Sequence, residues 1–120
     1  MNKTVEIKIK NKNNTNLFIN SFKNDNMIFL VWADWCHYSK VFKPEWIKFK
    51  KNNNGKSNKF KIFELKDNYK NKLNENPVFS EVFTNFRGFP TIFIINKNGK
   101  INILPENNIS NLNKAVNKFK

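Results

Sequence analysis

The chain has 120 residues, of which 39% are apolar and 15% aromatic, which is enough for one domain with a hydrophobic core and too little for two. We therefore expect a single domain over residues 1–120. Basic residues (22 Lys and Arg) outnumber acidic residues (9 Asp and Glu), and the net charge is +13. The 13 Phe and 3 Trp residues exclude a wholly disordered chain, despite its high polarity.

No segment has the character of a membrane span or a secretion signal. The apolar stretches Met27–Ala33 and Thr91–Ile95 are far shorter than the roughly 20 residues of a membrane helix. The segment Met1–Lys12 has neither an apolar core nor a small-residue cleavage site. We expect no membrane association and a cytoplasmic location, with packaging in a virus particle as an alternative.

The high positive charge raises the question of nucleic-acid binding. Lysines are spread along the whole chain, and Arg87 is the single arginine, which leaves little capacity for bidentate recognition of bases or phosphates. The abundance of Lys and Asn together is typical of A/T-rich codon bias. Non-specific affinity for nucleic acid is therefore expected from charge alone, whereas a nucleic-acid function is not.

The first half of the chain alternates between strand and helix patterns. Val5–Ile9 has the period-2 alternation of a strand with one solvated face. Asn11–Asn16 is interpreted as a surface turn, and Leu17–Lys23 as a short helix. Met27–Trp32 is a continuous apolar run that predicts a central strand covered on both faces.

A longer helix is predicted next, because apolar residues recur at helical spacing, and a bend is expected at the proline inside it. A polar turn is predicted over Lys50–Lys59. The residues that define the helix are Val41, Phe42, Pro44, Trp46, Ile47 and Phe49.

The second half predicts a strand over Lys59–Leu65, a helix over Pro77–Phe86 and a buried strand over Thr91–Ile95. The turn at residues 97–100 contains Asn-Gly, the strongest short hairpin signal, and leads into a strand over Ile101–Leu104. These last two strands should therefore be antiparallel.

A final helix is predicted with Ser110 as N-cap and an apolar face that ends at Phe119. The predicted order is strand, helix, strand, helix, strand, helix, strand, strand, helix. This order predicts an α/β fold in which helices sandwich a mixed β-sheet with a terminal antiparallel hairpin.

Cys36 is the only cysteine, so it cannot form an intramolecular disulfide or a multi-cysteine metal site. It stands where the second strand runs into the second helix, directly after Trp35. Pro44 follows eight residues later, and the segment 87–91 reads Arg-Gly-Phe-Pro-Thr. Together with the turn at residues 97–99, these features resemble the thioredoxin and protein disulfide isomerase family, as a single-cysteine Cys-x-x-Ser variant.

The resemblance extends from about Met27 to Lys100 and implies the thioredoxin-like fold. It also implies a cis peptide bond before Pro90, and it implies that Trp35, Phe89, Pro90 and Thr91 contact client proteins. Of the two nearby tryptophans, Trp32 is expected to be packed and Trp35 to form an apolar lip.

A cysteine at the first turn of a helix faces unpaired N–H groups, which stabilise the thiolate and lower the thiol pKa. Cys36 is therefore the candidate nucleophile. Ser39 is expected to donate a hydrogen bond to its sulfur, and Lys40 and His37 to add positive potential. A metal site is not expected, because Cys36 and His37 do not supply enough ligands. A cluster bridged by Cys36 and glutathione, as in single-cysteine glutaredoxins, fits the surrounding motif poorly.

Two positions depart from the family pattern. The second, resolving cysteine of the family is Ser39 here, and a hydroxyl cannot attack a mixed disulfide. The buried acid that thioredoxins carry six residues before the first cysteine is Leu30. We therefore expect that dithiol turnover fails while Cys36 keeps its activation.

Three functions remain open. The first is a monothiol thiol–disulfide oxidoreductase, in which Cys36 forms mixed disulfides with clients or glutathione and an external thiol, rather than a bound cofactor, releases them. The second is a redox-inactive module that binds extended protein segments in the groove. The third is a basic adaptor that binds nucleic acid or an acidic assembly.

Overall fold

A computed structural model describes residues 4–54 and 60–119. It contains five strands, five α-helices and a short 3-10 helix in these ranges. The strands are β1 (Glu6–Ile9), β2 (Met27–Trp32), β3 (Lys61–Lys66), β4 (Thr91–Ile95) and β5 (Ile101–Ile103), and the helices are α1 (Lys12–Ser21), α2 (His37–Asn53), α3 (Asp67–Lys70), α4 (Pro77–Val82) and α5 (Ile109–Asn117), with the 3-10 helix at Phe83–Asn85.

The strands form one mixed sheet in the order β1-β3-β2-β4-β5. Strand β3 pairs in parallel with both β1 and β2, whereas β4 is antiparallel to β2 and to β5. The first five residues of the central strand β2 are buried, as the apolar run predicted. The predicted mixed α/β sheet with a terminal hairpin is therefore confirmed. Gly99 supplies the positive φ of +88° in the hairpin turn.

Helices cover both faces of the sheet, and each face has its own buried cluster. On one face, α1 and α4 contribute Phe18, Phe79 and Val82 to a core that includes Phe29 and Phe63. On the other face, buried residues of α2 and α5 pack against buried residues of strands β2, β3 and β4. The helix residues include Phe42, Trp46, Phe49 and Leu112, and the strand residues include Ile28, Ile62 and Ile92.

The first helix begins earlier than predicted, because Asn11–Asn16 is not a turn. Asn11 is the N-cap of α1, and its side chain accepts a hydrogen bond of 2.9 Å from the N–H of Asn14. The helix ends at Ser21, and Lys23 adopts a positive φ of 68°.

The last helix differs at its start in the same way. Asn108, rather than Ser110, is the N-cap of α5, and its side chain accepts from the N–H of Asn111. Asparagine side chains thus cap the starts of both helices, and the polar residues around Asn11 had been interpreted as a turn.

Three other boundaries differ from the sequence predictions. The helix α2 continues to Asn53 through part of the predicted turn, with Asn54 as its C-cap, and residues 55–59 of that turn lie outside the described residues. The segment predicted as one helix from Pro77 divides into α4 and the 3-10 helix, while α3 was not predicted. Pro44 lies inside α2, as expected. In the described ranges no helix is both long enough and apolar enough to cross a membrane.

The core face of α1 yields a stability prediction. Phe18 is fully buried, and its ring centroid lies 4.7 Å from those of Phe29 and Phe79. Because the substitution leaves a cavity, Phe18→Ala should lower the free energy of unfolding by about 3–5 kcal/mol in urea denaturation. The neighbouring Leu17 is 47% exposed, so Leu17→Ala should change it by less than about 0.5 kcal/mol. Equal effects of the two substitutions would contradict this packing.

Candidate active site

The sheet topology brings two chain segments together at one edge. Strand β2 ends at Trp32 and leads through a turn into α2, while the antiparallel β4 begins at Thr91 on the same edge. Cys36 is the N-cap of α2, and its carbonyl accepts the first helical hydrogen bond from Lys40 N–H at 3.1 Å. The predicted position of the cysteine at a helix start is thus what the structure shows.

The sulfur of Cys36 faces the loop that precedes β4. Its Sγ lies 3.3 Å from the carbonyl oxygen of Phe89, to which the thiol donates. The peptide bond between Phe89 and Pro90 is cis, and the Pro90 carbonyl accepts from the side-chain amide of Asn107 at 2.9 Å. The Cys36 side chain is half-buried. The thiol therefore lies beside the backbone of the loop that contains the cis peptide bond.

Two tryptophans lie close to Cys36 in the chain, and they differ in exposure. Trp35 is 64% exposed, and its ring packs edge to face against Phe89 with centroids 5.5 Å apart. Its indole N–H donates to the Asp67 carboxylate at 2.7 Å, which holds the ring in place. Trp32 is half-buried against the core, as expected. Trp35 therefore offers an apolar, exposed and oriented surface next to the thiol.

Ser39 does not hold the orientation that the sequence suggested. It is buried, and its hydroxyl oxygen accepts a hydrogen bond of 3.2 Å from Ala33 N–H. No hydrogen bond links Ser39 to Cys36 in the described ranges. The Ser39 hydroxyl is thus an acceptor for the backbone turn between β2 and α2, and Ser39 supports the loop that carries Cys36.

The remaining predicted site residues divide into exposed and supporting groups. His37 and Lys40 are exposed beside Cys36, and the His37 ring packs against Tyr38. Thr91 is buried, and its hydroxyl donates to the Gly88 carbonyl. Its side chain therefore holds the loop together, and the expected contact of Thr91 with a client stays a prediction.

A surface ion pair lies next to the cysteine turn. Lys66 Nζ is 2.7 Å from an Asp34 carboxylate oxygen. The hydrogen bond from Lys66 lowers the pKa of Asp34 below its ordinary value, and the same bond raises the pKa of Lys66. Both groups therefore remain charged over the neutral pH range.

Comparison with known proteins identifies the family. A sequence model described as Thioredoxin matches residues 6–118. The chain belongs to the thioredoxin family. Membership supports a thiol–disulfide oxidoreductase type of function in general, and thioredoxins typically need no cofactor. The described residues contain no group of three or more His, Cys, Asp or Glu side chains arranged to hold a metal ion.

Solved structures agree on the fold. A thioredoxin from Malassezia sympodialis (Mala s 13) is 18% identical with a TM-score of 0.67, and the match covers 98% of this chain and 92% of that chain. The first thioredoxin domain of mouse protein disulfide-isomerase A4 is 20% identical with a TM-score of 0.65, covering 91% and 71%. The germline-specific thioredoxin Deadhead from Drosophila melanogaster is 14% identical with a TM-score of 0.65, covering 100% of both chains. The sequence has no significant match among curated proteins.

The position of the family's buried acid is apolar, but a carboxylate stands directly opposite. Leu30 is buried on β2, and its register partner on β3 is Glu64, which is also buried. The Trp46 indole N–H donates to Glu64 at 2.9 Å, and Lys50 Nζ lies 2.7 Å from the same oxygen. Lys50 also pairs with Glu6 at 2.9 Å. This network was not predicted from the sequence, and the one signal for it was a charged residue, Glu64, inside an apolar strand.

The charges of this network are mutually stabilised. Burial alone lowers the pKa of Lys50, but its hydrogen bonds and its attraction to Glu64 and Glu6 outweigh burial and raise the pKa above its ordinary value. Glu64 is thus held as a structural partner of Lys50.

Removal of Lys50 should leave Glu64 as a buried, unpaired charge. We expect Lys50→Met to lower the free energy of unfolding by about 3–5 kcal/mol, and Lys50→Met/Glu64→Leu to recover much of that loss. Lys51 is the matched control, since it is an exposed neighbour on α2, and Lys51→Met should cost less than about 0.5 kcal/mol.

The stability contributed by Lys50 should also depend on pH. Because its pKa is raised in the folded protein, the contribution is complete below the ordinary value of 10.5 and is lost as pH rises through the raised value. Urea denaturation of the wild type and Lys50→Met across that alkaline range checks this. The difference between the two proteins should shrink as pH rises, and a constant difference would contradict the ion pair.

Proposed function

We propose that the protein is a monothiol thiol–disulfide oxidoreductase in which Cys36 is the nucleophile. The observation that carries the proposal is the position of Cys36 Sγ at the N-cap of α2, 3.3 Å from the Phe89 carbonyl and beside the exposed Trp35. A thiolate at this helix end benefits from the positive end of the helix dipole. An extended client segment can pair with the Phe89 backbone while its disulfide meets the sulfur.

The reaction is a thiol–disulfide exchange. The Cys36 thiolate attacks one sulfur of a client disulfide, the S–S bond breaks, and the other client sulfur leaves as a thiolate that takes a proton from water. Cys36 and the client are then joined by a mixed disulfide. Because Ser39 has no thiol, an external thiol such as glutathione releases the client by a second exchange.

The function of Ser39 can be tested with a peptide whose single cysteine is bound to thionitrobenzoate. Wild-type protein should release one equivalent of thionitrobenzoate and remain as a stable Cys36–peptide adduct, measured by absorbance and intact mass. In Ser39→Cys the new thiol should expel the peptide and form an internal disulfide with Cys36, so the adduct should disappear. Cys36→Ser should release no thionitrobenzoate.

Two outcomes would contradict this proposal. If the wild-type adduct resolves without added thiol, Ser39 is not what blocks turnover. If the adduct of Ser39→Cys persists as it does in the wild type, a thiol at position 39 does not restore resolution, and the missing thiol does not explain the monothiol behaviour.

A second candidate is a redox-inactive binding module. It is favoured by the loss of both the resolving thiol, at the buried Ser39, and the buried acid, at Leu30. This candidate requires that Cys36→Ala binds a client peptide as tightly as the wild type under non-reducing conditions. A large loss of retention in Cys36→Ala would support the oxidoreductase instead.

A further inference from the structure

A cleft beside the reactive cysteine is lined by α2, α3 and the strands β1, β2 and β3. It consists of two cavities of about 240 Å³ and 410 Å³ that share Lys8, Trp32 and Glu64 in their walls. Ser39 and Pro90 line the first cavity, so the cleft begins under the cysteine loop. We name it the basic cleft for the lysines that line it: Lys8, Lys10, Lys43, Lys50, Lys66 and Lys72.

Only some of the charges of the basic cleft are balanced by the protein itself, since Lys50 pairs with Glu64 and Glu6, and Lys66 pairs with Asp34. Lys8, Lys10 and Lys72 are exposed, and in the described part of the chain no carboxylate lies within 4.0 Å of their ammonium groups. Among the described residues that line it, Glu64 is the one acidic side chain, and it is already bound by Lys50 and Trp46. Unpaired like charges that converge on a concave surface raise its positive potential and attract anions.

The aromatic groups of the basic cleft favour a peptide over a nucleic acid. Nucleobases bind to single-strand sites by stacking on available aromatic faces. The ammonium groups of Lys43 and Lys66 lie over the Trp32 ring, 5.7 Å and 5.6 Å from its centroid. The Tyr69 ring carries Lys72 at 5.3 Å in the same way. These rings position cations that can bind carboxylates.

We propose that the basic cleft binds an acidic, extended segment of a client protein, rich in Asp and Glu, next to the disulfide that Cys36 attacks. This inference rests on the proposed function and names its substrate class. Pro90 lines the cleft, and the residue before it, Phe89, contacts the Cys36 sulfur through its carbonyl oxygen. One extended segment can therefore contact both the cleft and the Cys36 sulfur. Carboxylates of that segment would pair with Lys8, Lys10 and Lys72.

The test compares three peptides that carry the same cysteine–thionitrobenzoate disulfide and differ only in flanking residues: glutamates, serines or lysines. The acidic peptide should react with Cys36 about tenfold faster than the serine peptide at low salt, and within about twofold of it at high salt, because salt screens exposed charges. The lysine peptide should be slowest.

Two variants locate the effect. Lys8→Gln/Lys10→Gln/Lys72→Gln should bring the ratio of the acidic-peptide rate to the serine-peptide rate close to one. Lys97→Gln/Lys100→Gln/Lys114→Gln is the control, since these lysines are exposed, lie outside the cleft walls and remove the same charge. The control should keep the preference, and thermal denaturation should show both variants folded.

The proposal is overturned if the acidic and serine peptides react equally fast. It is also overturned if both lysine variants lose the preference equally, since the preference would then depend on the net charge of the protein. If no peptide reacts, the proposed function fails, and fluorescence anisotropy decides the cleft separately. Labelled acidic peptide should bind Cys36→Ser and lose affinity in the cleft variant of that protein. Tighter binding of a single-stranded oligonucleotide at the same lysines would overturn the proposal in favour of nucleic acid.

Discussion

The pairing of the central strand β2 determines where everything else in the site lies. It is parallel to β3 and antiparallel to β4, so its carboxyl end meets the amino end of β4 at one edge of the sheet. Cys36 follows β2 and Phe89 precedes β4, which is why two residues far apart in sequence come within 3.3 Å. Burial of β2 on both faces fixes its register, because a shift by one residue would move apolar side chains to the opposite face.

The interior beside the cysteine differs from what the family resemblance implies. Ser39, at the position expected for a resolving cysteine, accepts a hydrogen bond from the Ala33 backbone, and Leu30, at the position expected for the acid, is a buried apolar side chain. A carboxylate is nevertheless present one strand away, at Glu64, where Lys50 and Trp46 bind it. The interior charge in this protein therefore links α2 to the sheet, and the proposed chemistry at Cys36 is separate from it.

Local sequence patterns predicted the order of strands and helices well. The apolar run of β2, the Asn-Gly turn before β5 and the motif around Cys36 each have a local physical cause, and the structure places all three as expected. The start of α1 was missed because asparagines favour turns in isolation, whereas here Asn11 caps a helix that buried Phe18 holds on the sheet.

Contacts between distant segments could not be predicted. The pairing of Glu64 with Lys50 depends on the register of β3 beside β2, and the bond from Trp35 to Asp67 depends on where α3 begins. The acceptor function of Ser39 depends on the path of one backbone turn. Side-chain direction at such points follows from tertiary geometry, which the residue types do not specify.

The central claim is that the fold activates Cys36 as a nucleophile, and its rate of alkylation tests this most directly. The native protein should react with iodoacetamide at neutral pH about fivefold faster than the same protein unfolded in urea, because only the folded chain places the sulfur at a helix start. Cys36→Ser supplies the background rate. An equal or slower rate in the native protein would contradict the account.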